Sequence, residues 1–345
     1  MATERVQVLI GTPLAEELVA QIRAVDPRLE VAFRPDLLGT PRYDGDHYAP
    51  AGRDVAREAE FRALLAETEV LFDFDSTTAA QLTTLAPRLR WVQSTSAGVG
   101  QTAKRFGLDK TEVIVTTASG VHAGPLAEFV LMAMLMFTKR HGHLMELKAQ
   151  RKFARFVSGA LPGKTLAIIG PGKIGREMAR LARPFGVRLT ALARVNHPAE
   201  ELGVDQVYSR KQLHTMLGEA DFVVLAVPHT AETEGLLGAA EIAAMKPGAV
   251  LINIARGLIV DEDALLVALR DGHLAGAALD VFRQEPLPAD SPFWDLPNVI
   301  VNSHSASTAE GENAKIVDLF CDNLRHYLAG ESAQMHNVLD KTLLY

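Results

Sequence analysis

Three side chains suited to acid–base and carboxylate chemistry each follow an apolar segment in the second half of the chain. They are Arg256 after residues 249–254, Glu285 after 275–281 and His304 after 298–302. A guanidinium can bind a carboxylate through two parallel hydrogen bonds and polarise an adjacent carbonyl. An imidazole can give or take a proton near neutral pH, and a nearby carboxylate can fix its tautomer and raise its pKa. We therefore predict Arg256, Glu285 and His304 as catalytic residues, provided that the fold brings them together.

A glycine-rich loop lies upstream of these side chains, in the segment KTLAIIGPGKIGR at 164–176. The apolar run at 166–169 predicts a strand, and the residues after Gly175 predict a helix. In such a unit Gly170 permits the tight turn, Gly172 lets phosphates approach the backbone and Gly175 lets helix and strand pack closely. The glycine spacing alone occurs by chance. Because both flanks agree with it here, we predict that a dinucleotide binds at this loop.

The elements that would position these groups are predicted strands that alternate with helical stretches. From the glycine loop onward the predicted strands are 165–169, 188–193, 221–227, 249–254, 275–281 and 298–302. One intervening helix is framed by Asp261 as its N-cap and Gly272 as its stop. This rhythm predicts a doubly wound parallel sheet, in which ligands bind beyond the carboxyl ends of the strands. Arg256, Glu285 and His304 are then expected at one edge.

The first third of the chain predicts a second, smaller α/β unit. Apolar strands are predicted at 6–10, 29–33, 70–72, 89–92 and 113–115, with helices at 14–22, 56–65 and 79–85. Strands alternating with helices make a parallel sheet. Residues 38–53, rich in Gly, Pro and Asp, predict a long loop that either reaches the active site or lies in solvent. Solvent is the default for such a loop.

A long helix is predicted over 125–147, with Pro125 in its first turn. Apolar residues nearly encircle it from Leu126 to Phe137, so both faces should be covered. Either a second copy of the chain or the interior of this subunit could supply that cover. A last helix is predicted at about 309–328, before a tail without a regular period.

Composition excludes several classes of protein. With 345 residues the chain is too long for one core, so two domains are expected. A net charge of −7 argues against a nucleic-acid partner. Cys321 is the single cysteine, which excludes an internal disulfide framework and fits a reducing cytoplasm. The polar N-terminus lacks a signal-peptide core and 129–137 is too short to span a bilayer, so we expect a cytoplasmic protein without a membrane contact.

The functional interpretation has alternatives. Taken alone, a histidine, arginine or glutamate after a strand is more often structural or on the surface than catalytic. The three together, beside a nucleotide loop, favour an enzyme. A nucleotide-sensing protein on the same fold is the rival from another class, although a sensor need not keep the complete set. Binding of NADPH without turnover across a broad panel of 2-oxo acids would favour the sensor.

Several motifs point together to a known family. They are STSAGVG at 94–100, GVHAGPLAE at 120–128, GPGKIGR at 170–176, VPHTAET at 227–233, NIARG at 253–257, LDVF at 279–282, PFWDLPNV at 292–299 and the segment around His304. With them, most of the chain resembles the D-isomer-specific 2-hydroxyacid dehydrogenase family. The resemblance implies that Arg256, Glu285 and His304 are the catalytic residues. A second rival is an enzyme that oxidises an inorganic or one-carbon anion on the same scaffold. Glu285 argues modestly against the members that oxidise formate.

The resemblance also implies a domain organisation. Two Rossmann-like domains are expected, with the cofactor domain inserted into a smaller flavodoxin-like substrate domain. Residues 1–118 and 310–345 would form the substrate-binding domain, and residues 119–309 would form the NAD(P)-binding domain. The active site would lie in the cleft between them. Family members are mostly dimeric, so we expect a homodimer through the helix at 125–147.

The resemblance further implies which residues contact each ligand, and no metal site among them. The substrate would be bound by Arg256 together with the loop residues Ser96, Ala97, Gly98 and Val99. The cofactor would be bound by Gly170, Gly172, Lys173, Ile174, Gly175, Val227, Pro228, Ile254, Ala255, Asp280 and His304. Lys173 and Ile174 would present backbone N–H groups to the pyrophosphate, and Asp280 would lie near the nicotinamide amide.

The chain departs from the family after the second strand of the cofactor domain. NAD-binding members usually carry an acidic residue there, which bonds the ribose hydroxyls. This chain has Ala193 at that position, followed by Arg194. Loss of the carboxylate removes repulsion toward a 2′-phosphate, and Arg194 can pair with that phosphate. We therefore predict NADP as the cofactor, with NAD as the alternative if Arg194 is merely solvated.

A second departure surrounds His304. Family members commonly have Pro before this histidine and an apolar residue with Gly after it. Here Ser303 precedes it and Ser305, Ala306 and Ser307 follow, which predicts a more polar site or a different loop geometry. The expected function is NADPH-dependent reduction of a small 2-oxo acid, similar to glyoxylate or hydroxypyruvate, to the D-2-hydroxy acid. His304 would supply the proton.

Overall fold

The structure, a computed structural model, describes residues 5–75, 77–193 and 197–344. The chain packs into two compact units. We call Met1–His122 together with Thr308–Tyr345 the split unit, and Ala123–Ser307 the inserted unit. The inserted unit interrupts the sequence of the split unit, as the fold class predicts. The roles of the two units in binding substrate and cofactor stay predictions.

The split unit contains a five-stranded parallel sheet. Its strands are β1 (Val6–Ile10), β2 (Leu29–Ala32), β3 (Val70–Phe72), β4 (Trp91–Gln93) and β5 (Ile114–Thr116). Their order is β2-β1-β3-β4-β5, which is the flavodoxin-like order. The intervening helices are α1 (Glu16–Arg23), α2 (Val55–Glu67), α3 (Leu82–Leu85) and α4 (Gly100–Arg105). The predicted class of this unit is therefore confirmed.

Successive strand residues bury opposite faces of this sheet, because side chains alternate along a strand. Val8 and Ile10 belong to one hydrophobic cluster and Leu9 to the other. Both clusters are almost fully buried. With a helix layer on each side, the carboxyl ends of the strands stay uncovered by the sheet's own helices and can carry ligand-binding loops.

The inserted unit contains a seven-stranded parallel sheet. Its strands are β6 (Thr165–Ile169), β7 (Arg188–Leu192), β8 (Gln206–Tyr208), β9 (Phe222–Leu225), β10 (Val250–Asn253), β11 (Gly276–Leu279) and β12 (Val299–Val301). Their order is β12-β11-β10-β9-β6-β7-β8, which is a doubly wound arrangement. The sequence prediction of six strands missed β8. That edge strand has only three residues and no apolar run, so periodicity gave no signal for it.

Helices cover both faces of the seven-stranded sheet. They are α5 (Ala123–Thr138), α6 (His141–Ala149), α7 (Lys173–Ala182), α8 (Ala199–Leu202), α9 (Leu213–Glu219), α10 (Ala239–Ala244) and α11 (Glu262–Arg270). The α11 helix is capped by the Asp261 carboxylate, which accepts from the N–H groups of Asp263 and Ala264. The chain then returns to the split unit, where α12 (Glu312–Leu328) packs against α1.

The predicted single helix at 125–147 is wrong in one respect, because two helices occupy this stretch. Arg140, between α5 and α6, has a φ of +55°. A left-handed residue ends a helix, and neither Gly nor Pro marked this position in the sequence. On α5, Val130 and Met134 are fully buried, whereas Met132 is 42% exposed. The sequence predicts that the whole apolar surface of this helix is covered. Within the described residues of this chain, that cover is incomplete.

Residues 38–53 form neither a helix nor a strand, as predicted. The default expectation of a solvent-exposed loop holds for Tyr48 but is wrong for Asp46 and His47, which are buried. The Asp46 carboxylate accepts from Arg42 Nε at 2.7 Å. This bond, acting against burial, lowers the pKa of Asp46 to about 2. The loop is therefore folded against the split unit along part of its length.

Candidate active site

The three predicted catalytic side chains follow three adjacent strands of the inserted unit. Strand β11 lies between β10 and β12, and their last residues are in register as Asn253, Leu279 and Val301. Because all three strands are parallel, the segments that carry Arg256, Glu285 and His304 leave the same edge of the sheet. The prediction that these segments share an edge is thus met by the topology.

His304 and Glu285 are joined directly. His304 Nδ1 lies 2.8 Å from Glu285 Oε2, and both side chains are more than a third exposed. The His304 N–H also donates to the Asp280 carbonyl at 2.8 Å, and the φ of His304 is +55°. Strained backbone of this kind is typical of functional positions. Because Nδ1 faces the carboxylate, Nε2 is the nitrogen able to exchange a proton with a ligand.

The carboxylate of Glu285 is held on both oxygens. Oε1 accepts from the Phe282 N–H at 2.9 Å, while Oε2 contacts His304. Burial alone would raise the pKa of Glu285. The bonds from His304 and Phe282 and the positive charge of Arg256 outweigh burial, so this pKa lies below its ordinary value. Glu285 is therefore an ionised acceptor that can orient the imidazole and stabilise its protonated form.

Asp280 organises the loop that carries His304. Its Oδ1 accepts from Asn302 Nδ2 at 2.7 Å, the Ser305 N–H at 2.9 Å and the Ala306 N–H at 3.0 Å. Burial raises the pKa of Asp280 despite these bonds. Within the described part of the chain, Oδ2 accepts no hydrogen bond, which suits the predicted contact with an amide. The unusual serine after His304 is thus a backbone donor to this anchor.

Arg256 is positioned by a close approach of two backbone segments. A Cβ on Gly257 would lie 1.9 Å from the Phe282 carbonyl carbon, so only glycine lets the loop after β10 pack against the loop after β11. Arg256 Nη1 donates to the Ala255 carbonyl at 2.7 Å. Its charge contributes to the lowered pKa of Glu285, after the larger effects of the bonds from His304 and Phe282. The guanidinium therefore belongs to the same electrostatic environment as the His304–Glu285 pair.

Sequence reasoning missed two asparagines that support this arrangement. Asn253 donates to the Arg256 carbonyl at 3.1 Å and accepts from the Ala255 N–H at 3.0 Å. Asn302 binds Asp280. Each asparagine ends or follows an apolar strand, and a polar amide at that position is the signal that could have identified it.

The glycine loop fits a dinucleotide pyrophosphate. Gly170 has a φ of +100°, and a Cβ on Gly175 would lie 2.6 Å from the Gly170 carbonyl oxygen, so both positions require glycine. Gly172 has open space where a Cβ would stand. The loop leads into the ten-residue helix α7, which begins at Lys173. Backbone N–H groups at such a terminus attract a phosphate.

The other predicted cofactor residues of the inserted unit lie near this loop or at neighbouring strand ends. Val227 follows β9, and its Cγ1 would be 2.7 Å from a Cβ on Gly170. Ile254 and Ala255 follow β10 and are buried. Pro228 directly follows Val227, and Ile174 is the second residue of α7. The sheet edge where His304 lies is therefore also the edge of the nucleotide loop.

A cavity of about 370 Å³ opens beside Ala193, at the ends of β7 and β8. Tyr208, Ser209 and Gln212 contribute to its walls. In a doubly wound domain this location suits the adenosine end of a dinucleotide. No carboxylate stands at position 193. Arg194, the predicted partner of a 2′-phosphate, lies outside the described residues.

The predicted substrate loop belongs to the split unit, where it follows β4. The Ser96 N–H donates to Ser94 Oγ at 3.1 Å, and the Gly98 N–H lies 3.3 Å from Ser96 Oγ. The amide N–H groups of Ala97 and Val99 donate no hydrogen bond within the described ranges. Two such amides suit a carboxylate. Their role in binding stays a prediction.

A doubly wound domain with a pyrophosphate loop and a histidine–glutamate pair at its strand ends defines a dinucleotide-dependent oxidoreductase. Comparison with known proteins agrees. The family model described as D-isomer specific 2-hydroxyacid dehydrogenase, NAD binding domain, matches residues 131–306. Glyoxylate/hydroxypyruvate reductase B of Pectobacterium carotovorum subsp. carotovorum (strain PC1) is 37% identical over 256 residues, which cover 71% of this chain and 78% of that protein.

Two solved structures show the same fold over nearly their whole length. One is a D-isomer-specific 2-hydroxyacid dehydrogenase from Xanthobacter autotrophicus Py2 in complex with NADPH and MES. Its TM-score is 0.80 at 26% identity, covering 99% of this chain and 100% of that chain. The other is an NADPH-dependent glyoxylate/hydroxypyruvate reductase from Sinorhizobium meliloti in complex with NADP and sulfate. Its TM-score, identity and coverage have the same values.

The chain belongs to the D-isomer-specific 2-hydroxyacid dehydrogenase family and is an NAD(P)-dependent oxidoreductase. The predicted family and fold class are confirmed. Among the helices of the described ranges, none has the length and apolar character that crossing a bilayer requires. The cytoplasmic location stays a prediction.

Proposed function

We propose that this protein reduces a small 2-oxo acid, similar to glyoxylate or hydroxypyruvate, to the D-2-hydroxy acid with NADPH. The observation that carries the proposal is the contact of 2.8 Å between His304 Nδ1 and Glu285 Oε2 beside Arg256. This set offers a proton donor, a group that orients the donor and a cation for a carboxylate. Relatives named glyoxylate/hydroxypyruvate reductase support the substrate class.

Each residue has a distinct part in the proposed reaction. A bound dinucleotide supplies the hydride to the keto carbon. Arg256 binds the carboxylate of the acid and stabilises the negative charge that develops on the keto oxygen. His304 gives the proton from Nε2 to that oxygen, while Glu285 stabilises the imidazolium before transfer and keeps the ring oriented. The Ala97 and Val99 amides are the backbone donors that the split unit is proposed to offer to a substrate carboxylate.

The proposed cofactor preference rests on the residues after β7. Position 193 is alanine, so no carboxylate repels a 2′-phosphate, and Arg194 follows with a positive charge. The Xanthobacter and Sinorhizobium structures were determined with NADPH and NADP. We expect Arg194→Ala to raise KM for NADPH by about tenfold or more and to leave KM for NADH within about twofold. A clear preference of the wild type for NADH would contradict the proposal.

The substrate class is tested by NADPH oxidation with a panel of 2-oxo acids that includes glyoxylate, hydroxypyruvate, pyruvate and a branched acid. Turnover should be highest with glyoxylate and hydroxypyruvate. Tight binding of NADPH without turnover across the panel would instead favour a nucleotide sensor. Preference for the branched acid would keep the reaction class and overturn the substrate assignment.

A homodimer is proposed through α5, α6 and the chain that follows them. Met132 on α5 and Met145 on α6 are 42% and 44% exposed, and Phe153 is fully exposed. Exposed apolar surface is a candidate for an interface when it forms a contiguous patch. Light scattering should give twice the chain mass of 37.4 kDa, and Phe153→Glu should shift the protein toward the monomer. A wild-type monomer at micromolar concentration would refute this interface.

A further inference from the structure

Asp73 is a buried carboxylate of the split unit that the proposed reaction does not use. It directly follows β3 and is 4% exposed. Its Oδ2 accepts from the Thr95 hydroxyl at 2.7 Å, and its Oδ1 lies 3.3 Å from the Thr95 backbone nitrogen. Thr95 lies in the segment after β4 and directly precedes the loop Ser96–Val99. Asp73 therefore fixes the residue from which the proposed substrate loop departs.

The conformation of Asp73 is unfavourable by local criteria. Its φ is +64°, which is the left-handed region. A Cβ on Gly11 would lie 2.7 Å from the Asp73 carbonyl oxygen. Only glycine at position 11 therefore leaves room for this conformation of Asp73. Burial raises the pKa of Asp73. Strain and a buried acid at one residue persist where function requires them.

His47 is a buried group of the same unit whose electrostatic effect reaches this carboxylate. Its Nδ1 lies 3.0 Å from the hydroxyl of Thr12, which is fully buried after β1. Its Nε2 is buried and makes no hydrogen bond within the described part of the chain. A buried polar atom without a partner is unfavourable for stability. The charge of His47 acts against burial to lower the pKa of Asp73.

The loop beyond Thr95 is preorganised by this anchor. The Ser96 carbonyl accepts from the Ala118 N–H at 3.1 Å, and Ser94 and Ser96 hydroxyls hold two further amides. Within the residues that the structure describes, the amides of Ala97 and Val99 donate no hydrogen bond and so can bind a ligand. A shift of Thr95 would move both amides together, because they follow it within four residues. Binding groups must be held within about 0.5 Å to be effective.

We propose that Asp73 is a positioning residue that holds Thr95 and so presents the Ala97 and Val99 amides to the carboxylate of the 2-oxo acid. This inference deepens the proposed function and rests on it. Asp73 acts through the loop and does not touch the reacting atoms. Its effect should therefore appear in substrate binding and leave hydride transfer and cofactor binding almost unchanged.

The experiment compares Thr95→Val with Thr95→Ser. Valine has nearly the same shape but cannot donate to Asp73, whereas serine keeps the hydroxyl. We expect Thr95→Val to raise KM for glyoxylate by about tenfold, with kcat and the Kd of NADPH within about twofold of wild type. Thr95→Ser should restore KM. Asp73→Asn should raise KM in the same direction.

The matched control is Thr78→Val. Thr78 is also buried in the split unit, and its hydroxyl donates to Asp75 at 2.9 Å, yet it does not lead into the substrate loop. This variant should leave KM unchanged. A rise in KM for Thr78→Val equal to that for Thr95→Val would overturn the inference, as would an equal loss of kcat in Thr95→Val and Thr95→Ser.

Hydrogen exchange separates this inference from the proposed function. In Thr95→Val the amides of residues 96–99 should exchange faster than in wild type, and the change should be confined to that loop. If wild type reduces no 2-oxo acid, the proposed function fails, and the exchange measurement still tests the anchor. Unchanged exchange in Thr95→Val would overturn the positioning role even in an active enzyme.

Discussion

The loop after β12 in the inserted unit and the loop after β4 in the split unit are held in the same way. In each case an aspartate directly follows the neighbouring strand, Asp280 after β11 and Asp73 after β3. Each carboxylate is buried and accepts hydrogen bonds from the adjacent loop. Burial raises the pKa of both. An acid at one strand end thus fixes the functional segment that follows the next strand.

The two loops differ in what they present. The inserted-unit loop carries the imidazole of His304, which is 43% exposed and paired with Glu285. The split-unit loop presents backbone amides of Ala97 and Val99. A titratable side chain can transfer a proton, whereas amides can only bind and orient. Under the proposed function, one anchoring arrangement therefore serves proton transfer in the first loop and substrate binding in the second.

Arg256→Lys should have a large effect, second to the loss of the His304 imidazole itself. Lysine keeps the charge but cannot bind a carboxylate through two parallel bonds. We expect kcat/KM for glyoxylate to fall by about 10²–10³-fold. Arg270→Lys, at the exposed end of α11, is the control. A loss below about fivefold would contradict the proposed binding of the substrate carboxylate by the Arg256 guanidinium.

Glu285→Gln should have an intermediate effect, a fall in kcat of about 10–100-fold. The pKa of Glu285 is below its ordinary value, so its orienting function is present above that pKa and is lost as pH falls through it. In the variant this acidic loss should disappear from the pH profile. The control is Glu331→Gln, whose carboxylate pairs with His326 at 3.3 Å. An unchanged acidic limb in Glu285→Gln would show that another group controls it.

The anchors themselves should give the smallest effects. Asparagine at 280 can still accept the bonds from Asn302, Ser305 and Ala306, so Asp280→Asn should lower kcat/KM by less than about tenfold. Because burial raises the pKa of Asp280 in the folded state, the wild type loses stability as pH rises from the ordinary pKa of an aspartate to the raised one. The Tm of the variant relative to wild type should therefore increase as pH rises through this interval. A decrease would contradict the assigned cause.

Much of the fold could be predicted from the sequence because its elements have regular periods. Apolar strands such as 165–169 and 70–72 were recognisable as short buried runs, and Asp261 and Gly272 framed α11. The edge strand β8 and the break at Arg140 were not. The edge strand β8 depends on its pairing with β7. The break in the helix depends on Arg140, a left-handed residue that is neither glycine nor proline.

The site was predictable to the extent that its residues carry chemistry of their own. His304, Glu285 and Arg256 could be selected by residue type and by their place after parallel strands. Asp73 and Asn302 could not, because their importance lies in which backbone or side-chain atoms they bind. The burial of His47 within a polar loop likewise required the folded chain. Contacts across different strands are not encoded in any local period.

The central claim is that His304, oriented by Glu285, supplies the proton when a 2-oxo acid is reduced. It is tested most directly by kcat for NADPH oxidation with glyoxylate in His304→Ala, beside His214→Ala, the same change at an exposed histidine of α9. We predict a fall of about 10²–10⁴-fold for His304→Ala, with NADPH binding unchanged and His214→Ala equal to wild type. Turnover by His304→Ala close to that of wild type would contradict the account.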